Sequence, residues 1–211
     1  MIVEGREIRA QHDTDAVSGN FIARDLVGGL RLKILKEDDD YQQFSLGNRM
    51  GVQAVGRVSA VSAFARDSRT KMDCSLYVYK ELVSPMIMGA NFLEKAKTLP
   101  KFRHRLVDRV CHAMPLPVLN LIGSTQQDKR HLASYIDDRP TWLNADSGSD
   151  LDVMSLDSAI MHRHYINSRP KCRKRVQLAD TTAVEIVGQV QVTLTMEDGS
   201  SYQTHLTSSQ G

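Results

Sequence analysis

Two short stretches carry residues able to do acid–base chemistry: Asp146-Ser147-Gly148-Ser149 and Asp13-Thr14-Asp15-Ala16. In each, an aspartate is followed by a hydroxyl residue, and the two aspartates stand 133 positions apart. A carboxylate can take a proton from water, and a protonated carboxyl can give one to a carbonyl oxygen. A fold that brings Asp13 and Asp146 together would hold both members of such a couple. Taken alone, Asp-Ser-Gly is an ordinary turn sequence, because all three residue types favour turns. Its surroundings give it weight.

Those surroundings repeat. Residues 44–58 align without a gap on residues 176–190, an offset of 132, with Leu46/Leu178, Val52/Val184, Val55/Val187, Gly56/Gly188 and Val58/Val190 identical. Upstream the offset is 133, placing residues 3–6 over 136–139 and Asp13 over Asp146. One extra residue in the first copy, near Ser18-Gly19, reconciles the two. Self-similarity of this kind marks a duplicated structural unit. Each copy reads as turn, strand, Asp loop, short helix and long hairpin.

A length of 211 residues accommodates two units of about 100 residues each. A formal net charge of +2 gives no reason to expect a nucleic-acid or anionic-membrane partner. The opening residues hold no apolar core of a signal sequence, and no apolar run nears the ~20 residues of a spanning helix. Cys74, Cys111 and Cys172 are odd in number and widely spaced, which argues against a disulfide framework. An intracellular, cytoplasmic setting is the default expectation.

The elements that must position the two loops can be read in order. Asn20 to Val27 reads as a helix with Ile22, Leu26 and Leu30 on one face, ended by Gly28-Gly29. Lys36 to Asp40 reads as a charged, solvated loop. Tyr41 to Tyr79 reads as strands, with Val52, Ala54 and Val58 along one and Met72, Cys74, Leu76 and Val78 along another. Turns are expected at Gly47-Asn48-Arg49 and Asp67-Ser68-Arg69. Met86-Ile87-Met88-Gly89 is an apolar strand entering a helix. Residues 100–134 read as a connector in which Leu106, Val107 and Val110 lie on a partly buried helix. Val184–Met196 and Ser201–Leu206 read as strands about the turn Asp198-Gly199-Ser200.

Several groups take the plain reading. Cys74 is a small core residue rather than a nucleophile. His162 and His164 lack a fixed third ligand, so no metal is expected. Asp150, Asp152 and Asp157 are solvated charges in a helix-like context. Lys171 to Arg175 is a solvated basic loop rather than a nucleic-acid patch.

In the first copy, Asp13-Thr14, Asn20-Phe21-Ile22, the hairpin from Leu46 to Gly56, and Met86-Ile87-Met88-Gly89 with Phe92-Leu93-Glu94 form one set. In the second, Asn144 to Asp150, Val153-Met154-Ser155 and Leu178 to Gly188 form another. Together they resemble the retropepsins, the retroviral-type aspartic peptidases, and particularly the retroelement-derived versions found in fungi. The resemblance covers nearly the whole chain outside the connector. It implies a mainly β fold, with two retropepsin-like β-barrel units at residues 1–99 and 135–211 joined by a partly helical connector at 100–134. Gly89 follows Asp13 by 76 positions, and the same spacing from Asp146 passes Gly211. The second unit is therefore expected to be truncated before its closing strand and helix.

The resemblance also implies an endopeptidase. Asp13 and Asp146 would form its dyad, or Asp146 would pair with its own counterpart in a homodimer. Two such carboxylates share a proton, a property established for aspartic proteases generally rather than read from this sequence. Thr14 and Ser147 would hydrogen-bond across the lobe interface, and Gly148 would let the loops approach. Gly47-Asn48 and Ala179-Asp180 would be flaps over a polypeptide substrate. Neither a cofactor, a metal, a membrane nor a nucleic acid is expected. The first loop carries Asp15 where the family has glycine, and Ala10-Gln11-His12 is more polar than the family's buried strand. The alternative expectation is thus an inactive retropepsin-like module that binds peptides or partner proteins.

Overall fold

The computed structural model of the chain describes residues 1–17, 19–46, 51–106, 116–119, 122–124, 131–144 and 146–209. The first half contains β1 (Ile2–Val3), β2 (Arg6–Glu7), β3 (Gln11–Asp13), β4 (Asn20–Ala23), α1 (Arg24–Leu30), β5 (Gln43–Leu46) and β6 (Gly51–Gln53). It continues with β7 (Arg57–Phe64), β8 (Asp67–Tyr79), β9 (Met86–Gly89) and α2 (Ala90–Lys95). Then come β10 (Val118–Leu119), β11 (Ile122–Ser124), β12 (His131–Ile136), β13 (Arg139–Asn144), β14 (Val153–Ser155) and α3 (Leu156–Met161). The hairpins β15 (Arg175–Leu178), β16 (Ala183–Met196) and β17 (Ser201–Ser209) complete the described chain. The molecule is mainly β, with a sheet that curls into a half-barrel. Among the described residues no helix is long and apolar enough to cross a membrane.

Strands of the first half run in the order β2-β1-β7-β8-β4-β9-β3. Period-2 alternation is clearest in β7, where Val58 and Ala60 are buried while Ser59 and Val61 face out. The centre of the sheet behaves differently. β4 lies between β8 and β9 and packs into a different apolar cluster on each face, Ile22 in one and Phe21 in the other, so both are fully buried. A strand covered on both sides loses its polar alternation. The helix expected from Asn20 therefore begins only at Arg24, and Ile22 belongs to a strand. α1 also continues through Gly28-Gly29 and ends at Arg31, in the left-handed conformation (φ 57°).

Three other local expectations are corrected. Asp38–Asp40 forms a 3₁₀ helix, and Asp40 is fully buried rather than solvated. Arg57 Nε lies 2.7 Å from Asp40 Oδ1, at an angle outside that of a hydrogen bond, and supplies the charge that burial requires. Val52 and Val58 fall on separate strands, because the chain breaks between β6 and β7 at Ala54 to Gly56. The turn placed at Asp67 to Arg69 lies at Ala65-Arg66, and Asp67 opens β8.

The connector is less helical than expected. Its described helical part is a 3₁₀ turn at Arg103–Arg105, and Leu106 is already extended. Val107 and Val110 lie outside the described residues, as do Gly47 to Met50 at the first hairpin tip. Arg105 fixes the start of the connector. Its guanidinium sits 4.5 Å from the Phe64 ring centroid and 4.1 Å from that of Phe102, donates to Ala96 O and pairs with Asp67. Beyond it, β10 joins β15 and β11 joins β5. β12 starts at His131, inside the span assigned to the connector, because it pairs with both β13 and β16.

Small backbone devices recur at the spacing of the sequence repeat. Glu4 (φ 47°) and Asp137 (φ 46°) open turns 133 positions apart. Arg31 (φ 57°) and Arg163 (φ 55°), and the 3₁₀ helices Asp38–Asp40 and Pro170–Cys172, are each separated by 132. Leu35 bridges Arg57, and Asn167 bridges Gln189. A Cβ on Gly56 would meet Leu35 O at 2.5 Å, and one on Gly188 would meet Asn167 O at 2.7 Å. Glycine is needed at both places because another backbone passes there.

One hydrophobic cluster is built from both ends of the chain. Ala16, Phe21, Phe44, Leu46, Tyr79 and Ile87 pack with Val176, Leu178, Ala179 and Ile186. The first Asp loop, through Ala16, is thus packed in one core with the hairpin 176–186 of the second half. The two Asp loops differ in one respect. β9 lies between β3 and β4, whereas no described strand lies between β13 and β14.

Candidate active site

Asp13 ends β3 and is fully buried. The amides of Asp15 and Ala16 donate to its Oδ1 at 2.8 and 3.1 Å, closing the loop on the side chain itself. Its Oδ2 is buried with no hydrogen-bond partner among the described residues. Asp146 is only half-buried. Its Oδ1 accepts from the Gly148 amide at 2.7 Å, and its Oδ2 accepts from the Ser149 hydroxyl. Each loop wraps around its carboxylate with local N–H or O–H donors, as turn aspartates do.

The two loops touch. The Ser147 amide donates to Thr14 Oγ1 at 3.0 Å, and Gln11 Nε2 donates to the Gly148 carbonyl at 2.7 Å. Asp13, Thr14, Asp146, Ser147 and Gly148, named from sequence, are therefore assembled in one place. Gln11, a polar residue of the strand before Asp13, joins them through that bond to Gly148. The available signal was period 2, since positions 11 and 13 of one strand share a face. Asp150, four positions past Asp146, was read as a solvated charge in a helix-like context. It lies outside α3, and its Oδ2 accepts from the Val118 amide at 2.9 Å.

The electrostatics are asymmetric. Burial, then the negative charge of Asp146, push the Asp13 carboxyl well above the ordinary aspartate range; the amides of Asp15 and Ala16 oppose this. Asp15 is itself buried, at 3% exposure, and its charge adds to the upward push. His12 titrates below the usual range because it is partly buried, with the Asp146 charge acting in the other direction. Asp13 is the carboxyl whose surroundings favour keeping a proton.

Asp13→Asn should consequently stabilise the protein at neutral pH. A carboxyl whose pKa is raised on folding contributes stability below its unfolded value of about 3.9, and this is lost as pH rises through the folded value. Asparagine keeps the Oδ1 acceptor and removes the buried charge. Thermal unfolding should show a gain of at least about 1 kcal/mol at neutral pH, or roughly 2–4 °C for a chain of this size. The gain should vanish in acid. A gain that is equal at both pH values would contradict the assignment.

The expected flaps divide. Gly47 and Asn48 lie outside the described residues. Ala179 is 1% exposed, and its carbonyl accepts from the Val83 amide at 2.9 Å. Thr181 Oγ1 donates to Glu81 Oε2 at 3.1 Å, so this hairpin tip, with Asp180, docks on the segment after β8. Elsewhere, Cys74 packs in the first core, where burial pushes its thiol to about 12. His164 Nδ1 lies 3.4 Å from Asp137 Oδ2, and the His162 carbonyl accepts from Arg139. Among the described residues no group of three or more His, Cys, Asp or Glu side chains is placed to hold a metal. Compared with known proteins, the chain matches no family model and no curated protein sequence.

Proposed function

We propose that the chain is a retropepsin-like aspartic endopeptidase of two lobes, with Asp13 and Asp146 as its dyad. The observation that carries this reading is the contact between the two Asp loops through Ser147 N–H and Thr14 Oγ1. It fixes the carboxylates on facing loops, one from each copy of the repeat. Burial, and then the negative charge of Asp146, raise the proton affinity of Asp13, which supports a proton held between the two. Asp146 takes a proton from water as the water attacks the peptide carbonyl. Asp13 gives its proton to the carbonyl oxygen, and later the pair returns a proton to the leaving amine.

The test is incubation with a library of unstructured peptides from acid to neutral pH, with products read by mass spectrometry. Cleavage should be internal, and its rate should fall as pH rises through the raised titration of Asp13, where the general acid is lost. One observation favours a second reading. Asp15, buried beside Asp13, adds a third carboxylate where the loops meet. A non-catalytic peptide-binding module is then the outcome if peptides bind without being cut, with binding unchanged in Asp13→Asn and Asp146→Asn.

A further inference from the structure

We infer that residues 117–119 and 122–124, between the two halves, occupy in cis the groove in which an extended polypeptide would lie. This rests on the endopeptidase reading above and names the regulation of that same site. Three observations carry it. First, β10 pairs with β15 (Val118↔Gln177, Leu119↔Leu178) and β11 pairs with β5 (Ile122↔Leu46, Gly123↔Ser45, Ser124↔Phe44). β5 and β15 are the same strand of the two copies, 132 positions apart. Secondly, the first pairing is parallel and the second antiparallel. A single chain direction must give opposite pairings when it crosses two units that face each other about an approximate two-fold axis. Thirdly, the segment is gripped beside the Asp146 loop through its backbone. Val118 N–H donates to Asp150 Oδ2 at 2.9 Å, and Asp150 N–H donates to Val118 O at 2.8 Å. Gln177 N–H adds a bond of 2.9 Å to Pro117 O.

These are the contacts by which a sheet edge takes up a strand of any sequence: paired N–H and C=O groups give the hold, and side-chain pockets only adjust it. Val118 is fully buried in this position. A tethered occupant competes at a high effective concentration, so a free peptide must displace it before it can bind. Residues 117–119 and 122–124 are a resident pseudosubstrate.

Fluorescence anisotropy of a labelled peptide copying residues 117–124 tests this. An Asp146→Asn background prevents turnover of the probe. Replacing residues 117–124 of the chain by a Gly-Ser run of equal length should tighten binding of the probe at least tenfold. If that variant does not fold, Val118→Pro removes the N–H donated to Asp150 and the buried valine side chain, and should act in the same direction. Equal affinity with and without the native connector, or no binding to either, would overturn the inference. Hydrolysis of other peptides by the unaltered chain is read separately, so the endopeptidase reading can survive that result or fail without it.

Discussion

Asp146→Asn should lower peptide hydrolysis by roughly 10²–10⁴-fold, the usual worth of a positioned acid–base group, with little change in stability. The structural side is favourable. Asparagine keeps an oxygen to accept the Gly148 amide, and the Ser147 amide bond to Thr14 does not involve the altered side chain. Loss of rate therefore reports loss of the base rather than collapse of the loop. The variant should also relieve Asp13 of a neighbouring negative charge, so the residual activity should have a different pH profile from that of the unaltered chain. Initial rates on a peptide cleaved by the parent, paired with circular dichroism, decide the matter. Activity within twofold of the parent would remove Asp146 from the mechanism.

The largest effect on folding is expected at Gly89. Its φ of −81° is ordinary for any residue, so conformational freedom is not the reason for glycine here. Space is the reason: a Cβ would meet the carbonyl oxygens of Ala16 and Gly19, both at 2.2 Å. Both are backbone atoms of the loop that carries Asp13, and neither can rotate away. The Gly89 amide also bonds to Asn20 Oδ1 at 3.0 Å, tying β9 to the start of β4. Gly89→Ala should destabilise by at least about 3 kcal/mol, lowering Tm by roughly 6–12 °C. Gly29→Ala is the control. It adds a methyl group with nothing within 4 Å, inside a helix, and should be neutral or stabilising by about 0.5–1 kcal/mol. If the two substitutions shifted Tm alike, close packing under the Asp loop would not be what holds it.

The sequence made some of this visible for physical reasons. Glycines 56 and 188 repeat because each must let a neighbouring backbone pass, and that requirement leaves a mark in the amino-acid types themselves. The Asp loops could be read because turn chemistry is local. Ile22 was misplaced because an apolar run inside a fully covered strand has the same composition as one face of a helix. Asp40 looked solvated in a run of acidic residues; its burial depends on Arg57, which lies on another strand. β10 and β11 were invisible since strands of two and three residues carry no period, and their partners lie far along the chain. Asp150 is exposed, as a solvated charge is, but its bond to the Val118 amide, 32 positions earlier, has no local signature.

The Asp40–Arg57 pair bears on how the two halves came to differ. The positions 132 further on hold Cys172, itself 4% exposed, and Gln189. Neither carries a fixed charge, so both members of the ion pair are exchanged together between the copies. Stranding one charge in a buried place costs about 3–5 kcal/mol, whereas exchanging both for neutral groups can be nearly free. Only Asp40 is buried, since Arg57 is 36% exposed, so a path by single steps avoids that penalty when the carboxylate is exchanged before the arginine. The order of exchange is thus constrained at this corner, although the 3₁₀ turns at 38–40 and 170–172 are alike.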